Sequence, residues 1–172
     1  LAEDTTWNLS NSYGVNNFHY YVYDSMNYTL GANSPSSFDN GSLEFTQNTT
    51  NLDFIKSTNS VRVAGGLEFR LENYKIHAGD RASYINGSNI QGIPFGSQGF
   101  AGYSPENEVD ESRNSYAFYL DSIVELSEKL QLEVLARYEE YSDFGESTNA
   151  KFALSYKLNP KTLLRISGST GF

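Results

Sequence analysis

The 172 residues contain no cysteine. That removes a disulfide framework, a thiolate zinc site and a cysteine nucleophile. Histidine is nearly absent too: His19 and His77 are the only two, and they sit on separate segments with no metal-ligand spacing. No metal centre is expected from them. Serine is plentiful, but no G-x-S-x-G elbow surrounds any of it, and the glycine-rich stretch 92–102 lacks the lysine of a phosphate loop. The sequence calls for no catalytic residue and no cofactor, so an enzyme is not expected. Basic residues are scarce, 12 Lys and Arg against 21 Asp and Glu, for a net charge of −9. Such a balance argues against nucleic acid as a partner. Long apolar runs are missing as well: nothing approaches the roughly 20 residues of a membrane-spanning helix, and Leu1-Ala2-Glu3-Asp4 is neither a signal peptide nor a Met start. A membrane is not thereby excluded, because a barrel strand needs only about 9–11 residues of alternating character.

What the chain does have is rings. Aromatics reach 15%, with 13 Tyr and 11 Phe, while hydrophobic residues total only 38% and the mean hydropathy is −0.50. This length supports one domain. Reading every second residue of segments 61–71, 116–126, 130–138, 150–158 and 162–168 gives 26 positions, none of them charged. The opposite phase, read over 62–72, 117–127, 131–139, 151–157 and 163–167, holds 24 positions, of which 12 are charged: Arg62, Glu68, Arg70, Glu72, Asp121, Glu125, Glu133, Arg137, Glu139, Lys151, Lys157 and Arg165. Chance would place about five charges in each set, so the period is 2 and the segments are strands with one dry face and one wet face.

The connections alternate in length. Ser57-Thr58-Asn59, Ser127-Glu128-Lys129 and Asn159-Pro160-Lys161 are short enough for antiparallel hairpins, whereas 26–42 and 77–112 are long and polar, and 142–147 is intermediate. Short turns at one end and long loops at the other are the asymmetry of outer-membrane barrels. The expected fold class is all-β, an antiparallel meander of about seven long strands near 6–25, 43–56, 60–76, 113–126, 130–142, 148–157 and 162–171. In the first segment Trp7, Leu9 and Tyr13 are in odd phase and Phe18, Tyr20 and Val22 in even phase. A bulge at Gly14-Val15-Asn16 or a turn between two strands would explain that shift, and the alternation of connections favours the bulge.

Several stretches resemble a known family. Ser167-Gly168-Ser169-Thr170-Gly171-Phe172 is similar to the start of the S-x-G-F-R-A-P-S segment of TonB-dependent outer-membrane receptors. Ala136 to Gly145, reading ARYEEYSDFG, resembles their R-Y-D-x-Y-S-D-F-G strand and loop, and Ala64 to Arg70 resembles their G-x-E-Y-R strand. Ile76-His77-Ala78-Gly79-Asp80 with Ala82-Ser83-Tyr84 resembles the external loop that follows in one subgroup. The resemblance implies an importer of the bacterial cell outer membrane, with a plug inside a barrel of about 22 strands and energy supplied through the TonB system. It also implies that residues 1–172 are one segment of the barrel domain, with plug, TonB-contacting segment and remaining strands elsewhere in the parent chain. Outer-membrane lipid would cover the dry face, and the segment in isolation would self-associate or curl to hide it.

Candidate sites follow from the loops and the wet face. Arg81, Tyr84, Asn86 and Tyr103 in the long connection offer stacking and hydrogen bonds to a small-molecule nutrient. On the strands, Arg62, Glu68, Arg70, Glu72, Glu133, Arg137, Glu139 and Arg165 are expected to face the lumen and to pair across strands. The acidic run Glu106, Glu108, Asp110, Glu111 lacks the ordered ligand pattern of a calcium loop and reads as a solvated charge run. Sequons at Asn8, Asn27, Asn40, Asn48 and Asn86 are discounted, since a chain rich in Asn and Ser produces several by chance. The resemblance leaves the ligand open among a metal chelate, cobalamin and an oligosaccharide. The competing reading is a soluble extracellular β-sandwich that binds carbohydrate, against which the long alternation counts, because sandwich strands usually run about five or six residues. A surface hydrolase on a smaller barrel lacks a nucleophile and base.

Overall fold

The computed structural model describes residues 5–88 and 92–171. Its strands are β1 Thr5–Tyr23, β2 Ser37–Ser57, β3 Val61–His77, β4 Val109–Ser127, β5 Leu130–Tyr141, β6 Gly145–Asn159 and β7 Thr162–Ser169. They form one antiparallel sheet in the order β1-β2-β3-β4-β5-β6-β7, a meander in which each strand pairs with its sequence neighbours. Register is continuous from Ser115↔Tyr141 to Glu125↔Gln131 in β4–β5 and from Leu130↔Tyr156 to Tyr141↔Gly145 in β5–β6. Short-range chemistry closes the tight turns. The Thr58 amide donates to the Val61 carbonyl at 2.8 Å, the Lys129 amide to Ser127 Oγ at 3.3 Å, and the Lys161 amide to Asn159 Oδ1 at 3.0 Å, each a side chain or carbonyl that favours reversal.

Two expectations need correction. Residues 37–42, read from sequence as loop, are the start of β2. The reversal between β5 and β6 is confined to residues 142–144, nearly as short as the turns at the other end of the sheet, because Gly145 at φ 95° lets β6 begin at once. Residues 5–23 form one continuous strand, the reading that the alternation of connections favoured over a turn at Gly14-Val15-Asn16. At the end of β1 both faces carry rings: His19, Tyr21 and Tyr23 stack in line on one face, and Phe18 and Tyr20 meet at 4.7 Å on the other. Apolar phase therefore loses its meaning beyond residue 17.

The chain divides into two compact units, residues 1–13, 48–71 and 113–172, and residues 14–47 and 72–112. In the first unit the usual inside-out order of a globular protein is reversed. The uncharged phase is exposed, with Phe118 at 54% and Ile166 at 68%, while on the charged phase the side chains of Glu68 and Arg137 are only 18% and 23% exposed. Among the described residues of this unit the buried hydrophobics are Ala117 and Ala153, both on the charged phase. Gly65 and Gly66 seat one ring on each face of β3. A Cβ at Gly65 would lie 2.7 Å from Phe54 Cε1, and one at Gly66 would lie 2.7 Å from the Tyr119 ring and collide with the Asp53 carboxylate. The Tyr119 hydroxyl donates to that carboxylate at 3.0 Å.

In the second unit the β1–β2 connection, with a 3-10 turn over Tyr28–Asn33, and the β3–β4 connection, with the single helical turn α1 Arg81–Tyr84, are sewn together by buried polar groups. Phe38 is its buried hydrophobic side chain among the described residues.

Candidate ligand-facing site

The loop unit is organised by two asparagines with no exposed surface. The Asn27 amide donates to the carbonyls of Ala82 and Ile85, both at 2.9 Å, and its Oδ1 accepts from the Thr29 amide at 3.1 Å and hydroxyl at 2.6 Å. Asn40 donates to Ser97 Oγ at 2.6 Å and to the Phe100 carbonyl. Ser83, also fully buried, donates to the Asp80 carbonyl at 2.6 Å, and its own carbonyl accepts the amides of Ser97 and Gly102 at 2.9 Å. Gly102 is required there, because a Cβ would collide with Ser83 Oγ. Buried amides and hydroxyls of this kind are stable only when paired. They turn two long polar connections into one fixed body.

Onto that body the loop brings rings. Tyr20 of β1 lies 5.0 Å from Phe100 and 6.1 Å from Tyr103, and Phe100 meets Tyr103 edge-on at 5.6 Å. Burial pushes the Tyr103 phenol above its ordinary pKa, and its neighbours Tyr20 and Tyr74 add to the shift. The Tyr103 hydroxyl therefore stays neutral at physiological pH. Nearby, His19 Nε2 is 2.8 Å from Asp39 Oδ1, and the Gly41 amide donates to the same oxygen at 2.8 Å. Partial burial works against the Asp39 carboxylate, but the Gly41 amide and His19 outweigh it and hold the pKa below the usual range. Asp110 is likewise lowered, by the Asn73 amide and the Lys75 ammonium, the latter 3.0 Å away. The Glu108 carboxylate accepts from the Ala78 amide at 3.2 Å. Half of the acidic run thus serves as local pairing, and no group of three or more metal-ligating side chains is present among the described residues.

Of the four residues proposed for ligand contact, only Tyr103 stands in a cluster of rings. Arg81 opens α1 and is exposed, and Tyr84 closes it half-buried. Asn86 Oδ1 accepts the Ser88 amide at 3.1 Å and hydroxyl at 2.8 Å, which fixes its side chain in a turn. Sequence reading missed Asn27, Asn40 and Ser83 as organisers of the site. The first two stood out only as sequons, and their burial is incompatible with a glycan.

Ion-pair groups run along the wet face of the strand unit. Glu68 accepts from Arg70 at 2.7 Å and from Arg137 at 3.3 Å, and Arg137 also grips Glu139. Glu133 accepts from Lys151 at 2.7 Å and Arg165 at 2.9 Å. Arg62 is exposed and Glu72 half-buried. Two polar atoms on this face, Arg70 Nε and Asp121 Oδ1, are buried without a partner in the chain.

Comparison with known families finds one match: the model for TonB dependent receptor-like, beta-barrel proteins covers residues 1–172. No curated protein and no solved structure matches the chain.

Proposed function

Because the chain belongs to the TonB-dependent receptor-like β-barrel family, a family of outer-membrane receptors that transport rather than catalyse, we propose that its seven strands form part of the wall of an importer of a scarce nutrient. The observation that carries this reading is the reversed order of the strand unit. On β4 the uncharged phase runs from Tyr116 to Leu126. Ten residue steps at about 3.3 Å, tilted by about 40°, give roughly 25 Å, the height of the apolar band of an outer-membrane barrel. A soluble sandwich buries its uncharged phase between two sheets; here the exposed residues include Leu67, Phe118, Leu120, Leu126, Phe152, Leu158 and Ile166. In the bacterial outer membrane, lipid chains would cover them. The paired wet face then lines the lumen, where Arg70 Nε and Asp121 Oδ1 meet the plug of the parent protein.

The nutrient, a metal chelate, cobalamin or an oligosaccharide, is met first by the β3–β4 connection, with Arg81, Tyr84, Asn86 and Tyr103 as contacts, and import is energised by the TonB system through the parent chain. Deleting residues 80–108 from the full-length protein should abolish nutrient binding in calorimetry. The barrel should still fold, seen as heat-modifiable migration, because the register of β4 to β7 lies outside the deletion. Unchanged affinity after the deletion would refute the loop as recognition surface.

A further inference from the structure

The charge of this chain is unevenly divided. Residues 14–47 and 72–112 hold nine carboxylates and only two bases, Lys75 and Arg81, a net of −7, while the strand unit carries the remaining −2. Lys75 is already paired with Asp110. A ligand with several negative charges would meet repulsion over the whole loop unit and at most one cation to answer it. Beside this acidic surface stand rings whose polar edges carry no charge: Phe18 and Tyr20 on β1, Tyr74 on β3, and Phe100 and Tyr103 in the β3–β4 connection. Phe18, Tyr74 and Phe100 are exposed, whereas Tyr20 and Tyr103 are half-buried. Phe100 and Tyr103 are held in place by the Asn40 and Ser83 knot, since the Tyr103 amide donates to the Asn40 carbonyl at 3.0 Å and the Phe100 carbonyl accepts from Asn40 and Ser97. Rings fixed in this way lose little entropy when a ligand stacks on them.

From this juxtaposition we infer that Phe18, Tyr20, Tyr74, Phe100 and Tyr103 form a stacking subsite for an uncharged, ring-faced ligand, one with an apolar face for the rings and a hydrogen-bonding edge for the phenol hydroxyls. The inference rests on the reading of the loop unit as the recognition surface and narrows its ligand class. It removes polyanionic chelates from the candidates and retains two sources of the shared chemistry, the sugar rings of a neutral oligosaccharide and a neutral metal chelate.

Calorimetry on the full-length receptor in detergent tests this with three probes: a neutral maltodextrin, a neutral iron hydroxamate and a trianionic iron catecholate. One of the neutral probes should bind, and which one identifies the source. Its affinity should change less than about twofold between 50 and 500 mM salt, because no net charge is being screened. Phe100→Ala and Tyr103→Ala should each weaken it by about tenfold or more, and Tyr103→Phe should keep most of the stacking and lose only the hydroxyl share. Circular dichroism and heat-modifiability verify that each variant folds. Preferential binding of the catecholate with steep salt dependence, or ring variants that fold and bind the neutral probe normally, would overturn the stacking subsite. Either result leaves the loop reading intact, because that reading fails only if deletion of 80–108 leaves the bound probe's affinity unchanged.

Discussion

A single amide holds much of the loop unit together. Asn27 spends both of its side-chain hydrogens on the carbonyls of Ala82 and Ile85, residues 55 and 58 positions away. Removing the amide leaves the buried Ala82 carbonyl without its donor, at a cost of about 1–3 kcal/mol, and leaves the Ile85 carbonyl only the longer contact from Thr29 Oγ1 at 3.3 Å. Asn27→Ala should therefore open the α1 segment locally: amides over 81–88 should exchange with deuterium at least about tenfold faster, while those of β5 and β6 keep their protection. If exchange over 81–88 stayed the same, the side chain would not be the anchor its geometry makes it. Neither Asn27 nor Asn40 announced this role in the sequence. Asparagine is common in loops for its local turns, and nothing local distinguishes one whose partners lie more than fifty residues away. Tyr103 was legible as a ring in a long loop, but its neighbours Tyr20 and Phe100 come from separate segments that only the folded connection brings together.

Strands were legible wherever alternation was the whole signal. The ends of β3, β5 and β7 fall within about two residues of the expectation, because each keeps strict period 2 to its turn. Recognition failed at the start of β2, where Ser37 to Ser42 spell a turn-forming sequence, yet the backbone there is extended and covered by the loop: the Asp80 amide donates to the Asp39 carbonyl at 2.8 Å, and the Tyr103 amide to that of Asn40 at 3.0 Å. Tertiary pairing overrides local preference at such places. The two faces of β4 and β5 make opposite predictions. Leu120 lies on the exposed uncharged phase, so Leu120→Arg puts a charge into lipid and should cost about 2–4 kcal/mol of folding stability in vesicles. Leu135 lies on the charged phase, opposite Asp121 in β4 and Lys151 in β6. There Leu135→Arg gains a carboxylate partner and should cost less than about 1 kcal/mol. Urea titration in phospholipid vesicles reads both, and equal costs would contradict the assignment of the faces.

At the scale of the molecule the decisive property is which phase meets solvent, and a single residue reports it. Trp7 is the only tryptophan in the chain, it is 63% exposed, and its ring packs against Phe54 at 5.3 Å on the uncharged side of β1 and β2. In water such an indole would emit at long wavelength and be reached by any soluble quencher. Against acyl chains it would emit further to the blue and be reached only by quenchers dissolved in the lipid. Tryptophan also favours the boundary between hydrocarbon and headgroup, where its apolar body and polar N–H are both accommodated. In the full-length protein reconstituted into vesicles, the difference spectrum between wild type and Trp7→Phe isolates this residue from any other tryptophan. That difference should be blue-shifted, strongly quenched by lipids brominated on their acyl chains and barely affected by iodide in the aqueous phase. The reverse pattern, efficient iodide quenching with no response to brominated lipid, would place the uncharged phase in water and end the outer-membrane reading of this sheet.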